Sequence, residues 1–168
     1  GRDRELPRVR QLLEYGRLVT LRGPAGVGKT RLAIEVASRL IADLPYGGWW
    51  VDLSVVTDPC VVAQTVTNTL SIRDYAAGPV LKTLADAIGE RRLLLVLDNC
   101  EHVTEACTSL ADTLLRACPH LKILATSRES LGVSGESVCP LAPLSVPDSL
   151  EGAAEAGDNI ALLGQRGV

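Results

Sequence analysis

A chain of 168 residues, 46% hydrophobic and 22% charged, has the composition of one globular domain that buries about two-thirds of the surface its unfolded form exposes. Its net charge of −3, with both signs spread along the sequence, offers no basic stripe to follow a phosphodiester backbone, so DNA contact is expected only from domains outside this chain. Five cysteines without a C-x-x-C pair argue against a disulfide framework or zinc site, and no apolar run approaches the roughly 18 residues of a membrane span; a cytoplasmic location without membrane contact is expected.

Residues 4–15 place Leu6, Val9, Leu12 and Leu13 at helical spacing, and Tyr15-Gly16 closes the pattern, which predicts a surface helix with one buried face. Arg17-Leu18-Val19-Thr20-Leu21-Arg22 reads as the first strand. It delivers the chain into Gly23-Pro24-Ala25-Gly26-Val27-Gly28-Lys29-Thr30, which fits the phosphate-binding pattern G-x-x-x-x-G-K-[ST]. The glycines let the backbone turn with its N–H groups inward, a nest for phosphate oxygens at the positive end of the next helix. Lys29 is expected to reach the β- and γ-phosphates and the Thr30 hydroxyl to hold Mg²⁺, a hard cation that prefers oxygen. Gly23 to Thr30, with Arg31 following, is the candidate nucleotide contact. The plainer alternative is a glycine-rich turn with a solvated lysine, and the flanking strand and helix patterns argue against it.

From Gly28 to about Leu44, the residues Leu32, Ala33, Val36, Ala37, Leu40 and Ile41 form an apolar stripe, stopped by Pro45 and Gly47-Gly48. Trp49 to Leu53 reads as a second strand whose tryptophans are packing residues, and a helix is expected to start near Asp58-Pro59, with the aspartate as cap. Residues 72–78 read as a loop and 79–88 as an amphipathic helix.

Leu93-Leu94-Leu95-Val96-Leu97-Asp98 has the continuous apolar character of a strand covered on both faces, as in the middle of a parallel sheet. A carboxylate at its end, beside a phosphate loop, is expected to hold Mg²⁺ together with Thr30; the alternative is a cap for a helix over 103–118. Leu121 to Thr126 reads as a fourth strand, and Arg128, where the chain leaves the sheet, can contact a γ-phosphate or sit on a solvated turn. Glu136 to Leu141 forms a short last strand, after which Pro143 and Pro147 mark a domain edge; 159–166 has room for one or two helical turns. The predicted fold is α/β, three layers with a central, mostly parallel five-stranded sheet flanked by helices.

Four segments in this order and spacing carry a resemblance. They are Gly1-Arg2-Asp3-Arg4-Glu5-Leu6, the loop Gly23 to Thr30, Leu97-Asp98-Asn99-Cys100-Glu101-His102, and Ala125-Thr126-Ser127-Arg128-Glu129. Over residues 1–146 the chain resembles the NB-ARC-like nucleotide-binding domain of STAND-class P-loop ATPases, in the branch found in large bacterial transcriptional regulators of the AfsR/SARP type. The resemblance implies an ATP/ADP switch with Mg²⁺, closed with ADP and opened on exchange for ATP, acting on neighbouring domains and capable of nucleotide-dependent homo-oligomerisation. By that similarity Arg2 lies near the adenine and Arg128 senses the γ-phosphate. The absence of an N-K-x-D sequence argues against guanine.

Two departures shape the expected chemistry. Many relatives carry a second acidic residue directly after the magnesium aspartate, whereas here Asn99 stands there. An amide can orient water but cannot take its proton. Glu101 is then the nearest candidate base, unless it is only a first-turn carboxylate favoured by the helix dipole, and hydrolysis is expected to be slow or absent. The second departure is that 147–168 holds only a linker and the start of the family's helical lid. The competing readings are an actively hydrolysing AAA-type ATPase or small-molecule kinase, and a non-hydrolysing oligomerisation scaffold.

Overall fold

The computed structural model of the chain describes residues 2, 4–72 and 78–143. Its elements run α1 (Glu5–Tyr15), β1 (Leu18–Arg22), α2 (Lys29–Leu40), β2 (Gly48–Asp52), α3 (Val62–Thr69), α4 (Val80–Ile88), β3 (Leu94–Asp98), α5 (Thr104–Ala117), β4 (Lys122–Ser127) and β5 (Glu136–Pro140). Short 3₁₀ turns cover Ile41–Asp43, Pro59–Val61 and Cys100–His102.

The strands form one sheet in the order β2-β3-β4-β1-β5, and all four pairings are parallel. Alternation in the central strands explains why their sequences are apolar throughout. Leu94 and Val96 of β3, with Leu124 of β4, pack with Val19 and Leu21 of β1 against α1 and α2. Leu95 and Leu97, with Ile123 and Ala125, face the opposite layer with Leu84, Ile88, Leu110 and Leu114 of α4 and α5. Every residue of β3 is therefore buried, as expected of a strand between two helical layers.

Helix boundaries follow local chemistry. The Asp58 carboxylate accepts from the backbone N–H of Cys60 at 2.9 Å, and the chain makes a 3₁₀ turn at Pro59–Val61 before α3. The stripe expected to run to Leu44 is α-helical only to Leu40, because the last turn tightens to 3₁₀ at Ile41–Asp43. Arg17, just before β1, donates to the carbonyls of Leu115 and Cys118 at 2.8 and 3.0 Å, satisfying the C-terminal end of α5. Cys100, Cys107, Cys118 and Cys139 are buried free thiols and Cys60 is exposed. Among the described residues no helix is long and apolar enough to cross a membrane. The expected linker and lid segment at 147–168, and the helical turns at 159–166, lie outside the described residues, as do 73–77 of the expected loop.

The parallel arrangement carries function because it sends the carboxyl ends of β1, β3 and β4 to one edge. Arg22 is in register with Ser127, and the N–H of Gly23 donates to the Ser127 carbonyl at 3.2 Å. The phosphate-loop segment, Asp98 and Arg128 thus converge although they are far apart in sequence.

Candidate functional site

The loop is shaped by what its glycines lack. A Cβ on Gly23 would lie 2.8 Å from the Leu141 carbonyl oxygen and 3.0 Å from Val27 Cγ2, so only glycine lets the exit of β5 pass so close. Gly26 and Gly28 hold φ of 76° and 85°, in the left-handed region that other residues resist. The turn leaves the N–H groups of Ala25, Gly26, Val27 and Gly28 without a hydrogen-bond acceptor among the described residues. Directly after them α2 begins at Lys29, with no capping side chain and no acidic residue in its first turn. Free amides directly followed by an uncompensated helix N-terminus suit an anion.

Lys29 is only 7% exposed, and its ammonium donates to the carbonyls of Gly23 and Pro24 at 2.9 and 3.1 Å. Its charge is held by neutral acceptors rather than by a carboxylate, so it remains available to an incoming anion.

Opposite the loop, Asp98 ends β3 with its carboxylate bonded by two hydroxyls. Thr30 Oγ1 donates to Oδ1 and Oδ2 at 3.0 and 3.2 Å, and Thr126 Oγ1 donates to Oδ1 at 2.6 Å. Burial pushes the Asp98 carboxyl above its usual range; the Thr126 and Thr30 donors pull it back, and the neighbouring charges of Asp52 and Glu101 raise it further. The carboxylate therefore faces the loop's threonine and makes no bond to the amides of α5, whose N-cap is Val103. Thr30 and Asp98 together form a pair of hard oxygen donors that suits Mg²⁺.

Thr126 is a site residue that no sequence motif singles out. Its Oγ1 also accepts the backbone N–H of Asn99 at 2.8 Å, so one hydroxyl fixes both the Asp98 rotamer and the left-handed turn at Asn99, where φ is 68°. A hydroxyl at the buried end of an otherwise apolar strand must find a partner, and that is the signal by which it could have been found.

Glu101 lies in the 3₁₀ turn Cys100–His102, ahead of α5, whose first turn carries Glu105 instead. Glu101 Oε1 is 3.3 Å from Arg128 Nε, and its other oxygen, Oε2, is buried without a hydrogen-bond partner. Arg128, Glu101, Asn99 and His102 close one side of a cleft of about 500 Å³, whose other side is Ala25, Gly26, Gly28, Lys29, Thr30 and Arg31.

Arg2 is not among the residues lining this cleft. It donates to the Glu5 carboxylate at 2.9 Å, to the Val27 carbonyl, and to the Ala142 carbonyl at 2.8 Å, tying the start of the chain to the loop and to the exit of β5. Arg2→Ala is accordingly expected to destabilise the fold by about 1.5–3 kcal/mol, the scale of one charge-assisted bond, read as a lowered Tm in thermal unfolding.

A family model described as NB-ARC domain matches residues 5–151. Among curated relatives, an uncharacterized protein of Mycobacterium tuberculosis is 43% identical over 152 residues, covering 90% of this chain and 39% of its own length. Another protein of the same organism, named as a candidate HTH-type transcriptional regulator, is 46% identical over 140 residues, covering 83% of this chain and 16% of its own length. The chain thus spans well under half of either relative. Among solved structures, Cdc6p of Pyrobaculum aerophilum aligns with a TM-score of 0.64 at 17% identity, covering 84% of this chain and 45% of that one. A Signal Transduction ATPase with Numerous Domains from Pyrococcus horikoshii, which carries a tetratricopeptide repeat sensor, aligns with a TM-score of 0.62 at 20% identity, covering 84% of this chain and 23% of that one. At these identities the structural likeness speaks to the fold.

Proposed function

The chain belongs to the NB-ARC domain family, and from that premise we propose that it is an adenine-nucleotide switch module of a longer regulatory protein, with slow or no ATP hydrolysis. The observation that carries the proposal is that the unpartnered loop amides, the uncapped start of α2, the buried Lys29 ammonium and Thr30 border one cleft, with Asp98 behind it accepting from the Thr30 hydroxyl. A phosphate chain with a divalent cation is a ligand that can use all four together, which supports this reading.

In this reading the amides of 25–28 and Lys29 bind the phosphates, Arg31 borders them, and Thr30 and Asp98 hold Mg²⁺. The cation, when bound, would neutralise phosphate charge and fix the orientation of the phosphate oxygens. Arg128 supplies a positive charge to the γ-phosphate, and Asn99 orients a water. Glu101 is the nearest carboxylate able to take that water's proton, and its unpartnered Oε2 supports that role. Glu101→Gln is expected to lower phosphate release at least tenfold while the protein still binds ADP. Equal turnover in the two proteins would remove Glu101 from the chemistry.

Residues 1–146 are assigned to the nucleotide domain and 147–168 to a linker and the start of a lid. The relative named as an HTH-type regulator supports a regulatory context, and the proposal takes neighbouring domains as the direct partners, with DNA reached only through them, in a cytoplasmic setting. Nucleotide-dependent homo-oligomerisation belongs to the same proposal. A non-hydrolysing scaffold is the second reading, and Asn99 in place of an acidic residue is what favours it.

The test is a calorimetric titration with ADP, ATP and GTP, each with Mg²⁺. Adenine nucleotides are expected to bind at least tenfold more tightly than GTP, about 1.4 kcal/mol. Equal affinity for GTP would remove the adenine assignment, and absence of all binding by the folded chain would remove the nucleotide site.

A further inference from the structure

The pairing of Glu101 with Arg128 gives the cleft a property beyond binding phosphates. The two side chains are asymmetric: Glu101 is 11% exposed and Arg128 is 57% exposed, so the carboxylate is the fixed partner and the guanidinium the movable one. Their closest approach is Nε to Oε1 at 3.3 Å, and no hydrogen bond between them, let alone a bidentate fork, locks the arginine in place. Among the described residues Arg128 makes no other ion pair. Glu101 already has one oxygen buried without a partner, and the carboxylate of Asp98 lies close enough to feel its charge.

We propose that Glu101 is a selectivity residue that favours nucleoside diphosphates over triphosphates, by keeping Arg128 as its own counter-ion. This rests on the cleft being a nucleotide site. A diphosphate is carried by the loop amides and Lys29 and makes no demand on Arg128. A third phosphate adds charge to a cleft that holds a buried carboxylate, and Arg128 can neutralise it only by leaving Glu101 unpaired in a poorly solvated position. The penalty falls on the triphosphate alone. The pair thereby sets how readily ATP displaces ADP.

The experiment is a double-mutant cycle on Glu101→Gln and Arg128→Ala, titrating ADP and a non-hydrolysable ATP analogue with Mg²⁺ present. Glutamine keeps the shape of the buried side chain, and Arg128 is exposed enough to be truncated without disturbing the core. Glu101→Gln is expected to raise triphosphate affinity roughly fivefold or more, the lower end of ordinary site coupling, with ADP affinity changed less than about twofold. In the Arg128→Ala background the same substitution is expected to give a markedly smaller gain. An unchanged ATP-to-ADP ratio in Glu101→Gln overturns the proposal. So does an equal gain with and without Arg128, which would mean that Glu101 repels the phosphate directly. A wild-type chain that binds neither nucleotide removes the underlying site as well, and is thereby distinguished from a failure of the selectivity argument alone.

Discussion

Lys29→Ala is expected to weaken binding of ADP with Mg²⁺ by about 100-fold while leaving the fold intact. The size follows from the chemistry of a charge-assisted contact: bonds from an ammonium to phosphate oxygens in a partly dry cleft contribute about 1.5–3 kcal/mol, and 100-fold is about 2.7 kcal/mol. The fold survives because the Lys29 ammonium is held only by the carbonyls of Gly23 and Pro24, at the edge of the sheet and outside both hydrophobic clusters. Removing it also lifts the burden of desolvating a charge that is 7% exposed, which offsets the two bonds lost. Calorimetric titration of both proteins, with thermal unfolding in parallel, checks the two halves. A folded variant that binds as well as the parent would end the assignment of the loop as the phosphate site.

How much of this was legible in the sequence depends on how local each determinant is. The loop was readable because its requirements are backbone requirements: Gly26 and Gly28 supply left-handed conformations, and Gly23 supplies room beside Leu141. Asp98 was readable for a related reason, since a carboxylate ending a strand of five buried residues needs an explanation wherever the strand lies. Strand order was not readable. β4 lies between β3 and β1, so the chain crosses over the sheet, and no local residue pattern records which strands become neighbours.

The same limit applies to contacts across the cleft. Nothing near Glu101 announces Arg128, and nothing near Arg2 announces Ala142, because both pairs exist only once parallel strands have brought their carboxyl ends together. Thr126 is the intermediate case. A buried hydroxyl implies a partner, yet only the register of β3 with β4 makes that partner Asp98 and the Asn99 amide. The α2 boundary failed for a different reason. Apolar spacing continues through Ile41, and periodicity does not distinguish an α-helical last turn from a 3₁₀ one.

Asp98→Asn is expected to act in opposite directions on the free and the loaded protein. In the free protein, burial holds the Asp98 carboxyl above its ordinary value of 3.8. A carboxyl raised in the folded state leaves stability unreduced below that ordinary value; as pH climbs from there to the raised value the unfolded chain ionises ahead of the folded protein and stability falls, and the loss is constant above it. Asparagine keeps the shape and one acceptor for Thr126 or Thr30, and it carries no charge against Asp52 or Glu101. The variant should therefore be the more stable protein at neutral pH by on the order of 1 kcal/mol, about 2–4 °C in Tm, with the difference vanishing toward pH 3.8. In the loaded protein the order reverses, because an amide is a poor ligand for Mg²⁺ and the cation's contribution to nucleotide affinity should fall on the order of 100-fold, at the upper end of what altered metal shells cause. Unfolding curves against pH without ligand, and titrations with and without Mg²⁺, measure the two effects separately. A variant less stable than the parent at neutral pH would mean that the ionised carboxylate, with its two hydroxyl donors, supports the fold rather than straining it. Retention of the full Mg²⁺ effect would move the metal away from Asp98. Stability given up in the free protein and recovered only with nucleotide and Mg²⁺ is how a switch couples its conformation to its ligand.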